Sequence, residues 1–180
     1  NPHVLVAGGL PPQNNTYEAD DRPATEIKED FHRQAEILNP FVDFFYFDVL
    51  SSLREFQLGI EAIKDFNKPY LMGIHISEGT KLPSNECISD IVNKIEHKNL
   101  LGLMLSCVSP ENYQQNLDEI KSFNIPFGFK LNAFKTTLSK NGYIAQYAKS
   151  NGNPNEFLGQ RKDLTPENLA KIVKTFKNAG

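Results

Sequence analysis

The chain has 180 residues, 39% of them hydrophobic and 23% charged, with a net charge of −3 at pH 7; this suffices for one globular core and argues for a single domain over residues 1–180. A pI near 5.8 and lysines dispersed among acids exclude a basic field for nucleic acid or anionic lipid. No apolar stretch approaches the roughly 20 residues of a membrane span, and the opening NPHVLVAGG lacks a signal core, so a cytoplasmic protein without membrane contact is expected.

Residues 3–7 read as a short strand ending at Gly8-Gly9. Glycines just past a strand end let the backbone turn tightly or approach a ligand closely. The next stretch, with Pro11, Pro12, Asn14, Asn15, Asp20, Asp21 and Pro23, is a long loop, and a loop of this length suggests a lid or a binding loop. From 25 to 38, Ile27, Phe31, Ala35 and Leu38 recur at helical spacing and predict an amphipathic helix docked on a sheet. VDFFYFDVL at 42–50 is a β-rich run whose one interior charge, Asp48, lies near its carboxyl end. A buried carboxylate is costly unless paired, which places Asp48 at the rim rather than in the core.

Ser52-Leu53-Arg54-Glu55 is a capping box opening a second helix, with Leu53, Phe56, Ile60 and Ile63 inward, and this gives Glu55 a sufficient structural role. Residues 69–76 form the next strand, and His75 near its end is a site candidate beside the commoner reading of a hydrogen-bonded core histidine. A loop over 77–83 leads to a helix from about residue 84, with Ile88, Ile91, Val92 and Ile95 inward and Cys87 inert in its first turn.

LLGLMLSCVSPENY at 100–113 is the most informative stretch. An unbroken apolar run over 100–105 reads as a strand buried on both faces that stops at Ser106-Cys107, just before a helix start at Ser109-Pro110. Cys107 thus sits at the carboxyl end of a core strand, where parallel sheets and barrels bind ligands. The simpler reading of a lone cysteine is a small buried hydrophobe. Two cysteines, Cys87 and Cys107, make no disulfide framework in a chain this long, and reduced thiols are the default.

Tyr113, Leu117, Ile120 and Phe123 form another inward stripe, and residues 125–131 a fifth strand ending at Asn132. Residues 135–159 have no clean period and read as a long excursion. Thr165-Pro166 then caps a final helix with Leu169, Ile172, Val173 and Phe176 inward. Five strands alternating with helices predict right-handed βα units around a parallel sheet, an α/β fold. The final helix has no strand after it and the chain opens abruptly, so an internal segment of a longer protein is expected, although five strands also suffice for a complete doubly wound sheet.

VAGGL at 6–10, EDFHRQAE at 29–36, FFYFDVLSSLREF at 44–56, LSCVSPEN at 105–112, FKLNAF at 129–134 and DLTPENLAKIVKTFKNAG at 163–180 together resemble the homocysteine S-methyltransferase family, in the right order along essentially the whole chain. The resemblance implies a (β/α)8 TIM barrel, present here as a partial barrel of about five βα units, with a catalytic zinc at the carboxyl rim. It implies that the zinc is held by one Cys after a late strand, which Cys107 matches, and by an adjacent Cys pair after the last strand. That pair is expected just beyond Gly180, and the opening strands with their acidic substrate-facing residue are also expected to be missing. The segment itself is therefore expected neither to close a barrel nor to hold zinc.

By the same resemblance Asp48, Ser106 and Asn132 are substrate contacts. Asp48 stands where the family commonly has Glu, suited to an amino group; Ser106 stands where Asn is usual, and Gly9 where Ser is usual. These departures reshape the pocket. Coordination would turn a thiol of pKa about 8.5 into a thiolate and leave a fourth position for homocysteine. The implied activity is zinc-dependent methyl transfer from an S-methylmethionine- or betaine-type donor to the homocysteine thiol, giving methionine, with these small molecules as substrates and neither nucleic acid nor membrane as a partner. The competing reading is a non-catalytic α/β module that binds a small metabolite and uses Cys107 only as core.

Overall fold

All five strands run in the same direction and lie side by side in sequence order, as right-handed βα crossovers require. The computed structural model describes residues 4–137 and 158–179. The strands are β1 (Ala7–Leu10), β2 (Phe44–Leu50), β3 (Tyr70–Ile74), β4 (Leu100–Val108) and β5 (Phe127–Leu131). The helices are α1 (Ala24–Leu38), α2 (Leu53–Ile63), α3 (Ile88–Lys94), α4 (Pro110–Lys121) and α5 (Pro166–Ala179). The fold is α/β, with five parallel strands in the arrangement of a partial TIM barrel. Among the described residues no helix is long and apolar enough to cross a membrane.

Strand alternation divides the sheet into two faces. Toward the helices point Leu10, Phe45, Phe47, Met72, Leu103 and Leu105, all fully buried. Phe47 meets Phe31 of α1 and Phe56 of α2 edge-on, with ring centroids 5.7 and 6.3 Å apart. Gly59 lets α2 approach this closely, since a Cβ there would stand 2.6 Å from the Phe47 ring. At the other end Phe129 packs on Tyr113 of α4 and Phe176 of α5. The opposite face carries Tyr46, Asp48, Gly73, Met104, Ser106 and Lys130, and the site is built there.

The elements depart from the sequence pattern at identifiable points. β1 begins at Ala7 and contains both glycines, rather than ending before them. A Cβ on Gly8 would lie 3.1 Å from Val42, so the small residue lets β1 lie against β2, while Val4, Leu5 and Val6 stay exposed; His3 lies outside the described residues. β4 runs one residue past the expected end at Ser106-Cys107, through Val108, and Leu101 is 40% exposed, so its opening is not buried on both faces.

α3 begins at Ile88, not at 84, with Cys87 as its N-cap. The residues before it are held in a loop: Lys81 pairs with Cys87, and the Glu86 carboxylate accepts from the Leu53 N–H at 3.0 Å. Of the inward stripe expected on α5 only Phe176 is buried; Leu169 and Ile172 are half-buried and Val173 is exposed. The expected Ser52–Glu55 box keeps its first arm, Glu55 N–H to Ser52 Oγ at 3.2 Å. Its second arm instead runs from the Ser52 hydroxyl to Glu55 Oε2 at 2.6 Å. Most of the excursion read over 135–159, from 138 to 157, lies outside the described residues.

Candidate functional site

The carboxyl ends of β2 and β4 break their alternation in the same way. The register shifts between Phe47 and Leu50 on one strand and between Ser106 and Val108 on the other. The inserted residues, Val49 at φ 64° and Cys107 at φ 56°, adopt the left-handed conformation that side chains avoid and β-branched ones avoid most. Such a residue costs about 1–3 kcal/mol and persists only where its surroundings hold it. The bulges return Leu50 and Val108 to the helix side, where both are buried, and turn Val49 and Cys107 onto the rim. There the two pack with Tyr17, Leu158 and Phe134.

The loop between β1 and α1 supplies the side chain that meets the thiol. The Tyr17 hydroxyl lies 2.9 Å from Cys107 Sγ in a hydrogen bond, and its ring packs on His75 with centroids 4.5 Å apart and planes tilted by 35°. Arg54 of α2 holds this loop down, donating to the Asp20 and Arg22 carbonyls at 2.7 Å each. Arg22 in turn pairs with Asp20 at 2.7 Å and Asp30 at 2.9 Å. The loop expected to be a lid or a binding loop is thus folded down, with Tyr17 seated on Cys107.

Asn132 follows β5 directly and secures the β4 bulge. Its Nδ2 donates to the Cys107 carbonyl at 2.5 Å and stands 3.9 Å from Sγ, while its Oδ1 accepts from the Phe134 N–H at 2.9 Å. His75 supports the same bulge from below. The Ser106 carbonyl, 3.0 Å from Nδ1, can only accept, so Nδ1 carries the proton and Nε2 accepts from the Ser77 hydroxyl at 2.8 Å. Complete burial brings the His75 pKa down to about 4, and the ring is a neutral structural support.

Burial pushes the Cys107 thiol up, while the hydrogen bond from Tyr17 and the charge of Lys130 pull it the other way without prevailing. A thiol so placed is a poor nucleophile by itself and becomes a thiolate when a cation sits on it. Beside it, Ser106 is buried with its Oγ hydrogen-bonded to the Tyr46 hydroxyl. Asp48 pairs with Lys130 across the sheet, Nζ to Oδ2 at 2.6 Å. A cleft of about 360 Å³ opens on the far side of Asn132, between Ser77, Glu78, Asn112 and Phe134.

Cys107, Ser106 and Asn132 thus meet at one rim, with Asp48 on the adjoining inner face, and Gly9 presents only backbone on β1 with open space before it. Tyr17, Tyr46 and Lys130 were not among the sequence candidates. Lys130 carried one signal: it is the lone charge in a strand, on the face opposite Phe127 and Phe129. Tyr17 carried none, since loop position does not encode what a side chain covers.

A catalytic zinc takes three protein ligands. Among the described residues no three His, Cys, Asp or Glu side chains gather to hold a metal, and Cys107 offers one sulfur. These residues alone do not fit the ion.

A thiol, an amide and a charged pair lie at the carboxyl ends of parallel strands, the end at which β/α barrels carry their sites. The family model described as homocysteine S-methyltransferase matches residues 1–180, and the chain belongs to that family. Crystal structures of the homocysteine methyltransferase MmuM from Escherichia coli have the same fold. The apo form superposes with a TM-score of 0.64 at 17% identity over 96% of this chain. The metallated form gives 0.68 at 17% over 97%, and the oxidized form 0.66 at 18% over 97%. This chain spans 63% of the length of each. No curated protein matches the chain in a sequence comparison.

Proposed function

We propose that the whole protein transfers a methyl group from a small onium donor, of the S-methylmethionine or betaine type, to the thiol of homocysteine, giving methionine. In this reading Cys107 is one sulfur ligand of a zinc ion whose other ligands lie outside the described residues, and Asp48, Ser106 and Asn132 face the substrate. The observation that carries it is Cys107: in a chain of this family, the thiol at the rim is turned out of the strand by a left-handed bulge at φ 56°. The same bulge on β2 turns Val49 to that rim, and of the two side chains only the Cys107 sulfur can serve as a ligand.

The residues divide the work. Asp48 supplies a negative charge for the substrate ammonium, and Ser106, buried beneath the Tyr46 hydroxyl it bonds, fixes that hydroxyl beside the site. Asn132 locks the peptide that aims Cys107, and the cleft beside it, about 360 Å³, suits a donor of a few heavy atoms. The homocysteine thiol gives up its proton to solvent, and the new S–CH3 bond forms as the donor's onium–CH3 bond breaks, the donor leaving with the electron pair. The substrates are small molecules, and the expected location is the cytoplasm.

The test is zinc content and homocysteine-dependent methyl transfer in the whole protein, with Cys107→Ser and Cys87→Ser compared. Cys107→Ser should lower both metal affinity and transfer by about 100-fold or more, and Cys87→Ser neither. Absence of zinc and transfer from the unaltered protein would overturn the reading and leave a non-catalytic metabolite-binding module.

A further inference from the structure

Glu55 lies under the loop whose Tyr17 covers Cys107, and capping α2 does not require its burial. It stands in the first turn of α2, where a carboxylate ordinarily reaches into water, but it is only 1% exposed. Its Oε2 accepts from the Ser52 hydroxyl at 2.6 Å. The Asp20 and Ser51 N–H groups face the carboxyl. Even so, Oε1 is buried with no hydrogen-bond partner among the described residues, and the Ser51 hydroxyl is left the same way. A full negative charge so sparsely bonded is costly to bury, whereas a neutral carboxyl is not.

The charged groups around it leave no cation for Glu55. Arg54, its neighbour on α2, turns its guanidinium to the Asp20 and Arg22 carbonyls. Arg22 is engaged by Asp20 in the loop and by Asp30 on α1. From the loop before α3, Glu86 takes the Leu53 N–H at 3.0 Å and adds a further negative charge. The Asp20 carboxylate, 4% exposed, acts on Glu55 directly and disfavours its ionisation. An ionised Glu55 therefore needs water. Helix and sheet hydrogen bonds hold α2 and β2, so the loop is the side that opens at least cost. Tyr17, in the same loop, stands in the left-handed region at φ 70°, a conformation kept only while its surroundings hold it.

We propose that Glu55 is a proton-operated latch on this loop: the neutral carboxyl seals it down with Tyr17 on the Cys107 thiol, and the ionised carboxylate draws water beneath Asp20, lifts the loop and frees the thiol. The latch governs access to Cys107 whatever that thiol binds, and does not rest on the methyl-transfer reading. Burial pushes Glu55 up to about 7 in the closed loop, against the Ser52 hydrogen bond, and hydration returns it to its ordinary 4.5. Opening thus becomes easier by up to about tenfold for each pH unit from 4.5 to 7, and changes no further above 7.

The test is deuterium exchange of the backbone amides of residues 14–22 in the whole protein and in Glu55→Gln, a permanent mimic of the neutral carboxyl, from pH 4.5 to 8. The ratio of the two proteins at each pH cancels the pH dependence of exchange itself. It should be near 1 at pH 4.5, rise about 10-fold or more by pH 7 and then stay level, in loop amides that exchange ahead of those of β4. With Cys87→Ser in both proteins and bound metal removed by chelation, 4,4′-dithiodipyridine labelling of Cys107, read at its own peptide by mass spectrometry, should follow the same curve. A loop ratio that does not change with pH, a change confined to β4, or Cys107 labelling that does not follow the loop would each overturn the latch; a change confined to β4 means that Glu55 acts on global stability alone. Should Glu55→Gln not fold, the unaltered protein decides: the 13C resonances of the Glu55 carboxyl and the Tyr17 ring should titrate with one midpoint between pH 4.5 and 7, and a Tyr17 ring that does not respond would sink the proposal.

Discussion

His75 and Glu55 are buried titratable side chains whose pH dependences oppose each other. Complete burial brings His75 down to about 4 from 6.5. The unfolded chain therefore takes up a proton first, and the contribution of His75, full above pH 6.5, is lost as pH falls toward 4. Burial pushes Glu55 up to about 7 from 4.5, against the hydrogen bond from Ser52. Its contribution is full below pH 4.5 and is lost as pH rises toward 7. Each is worth about 3 kcal/mol across its window, and between pH 4.5 and 6.5 the two slopes cancel. Urea unfolding across pH should show Glu55→Gln gaining on the unaltered chain as pH rises from 4.5 to 7, and His75→Asn gaining as pH falls from 6.5 to 4. Differences that do not change with pH would refute the protonation states. His75 was legible as a strand-end histidine. That it supports Ser106 from within was not, because its partner lies 31 residues away.

The loop from β1 to α1 is the element whose character depends most on tertiary contacts. Its proline and asparagine content announces a loop but not a folded one. Burial would raise the Asp20 carboxyl, but Arg22 outweighs it and holds the group below its ordinary value. Arg54 fastens both residues from α2. Releasing this fastening should uncover the thiol that Tyr17 covers. In a Cys87→Ser background, a suitable N-cap replacement, Arg54→Ala and Tyr17→Ala should each speed alkylation of Cys107 by iodoacetamide about fivefold or more. Unchanged rates would show that the loop does not guard the site. The twin bulges of β2 and β4 belong to this scale too. FDVLSS and LSCVS each read as a strand running into a helix cap, and nothing in either string marks its third residue as left-handed. Neighbour register decides that, because Leu50 and Val108 must return to the helix side.

At the scale of the whole molecule, helices cover one face of a parallel sheet and chemistry-bearing side chains occupy the other. The last helix is held to this body through few groups: Phe176 meets the Tyr113 ring at 4.6 Å and Phe129 at 5.6 Å, while Lys121 donates to the Ala179 carbonyl at 2.6 Å. Phe176→Ala should cost about 3 kcal/mol and raise amide exchange in α5 well before that in β4; protection of α5 unchanged by the substitution would show that other contacts dock it. The sequence alone determined the βα alternation, the parallel sheet and the rim position of Cys107, because apolar periodicity and capping residues act over a few neighbours. Six short blocks in order also identified the family. Only the tertiary structure decided that Tyr17 covers the thiol, that Asn132 and His75 secure its bulge, and that Lys130 crosses two strands to Asp48. Those contacts span 25 to 90 residues of chain, and they arise from register and curvature, which no local pattern encodes.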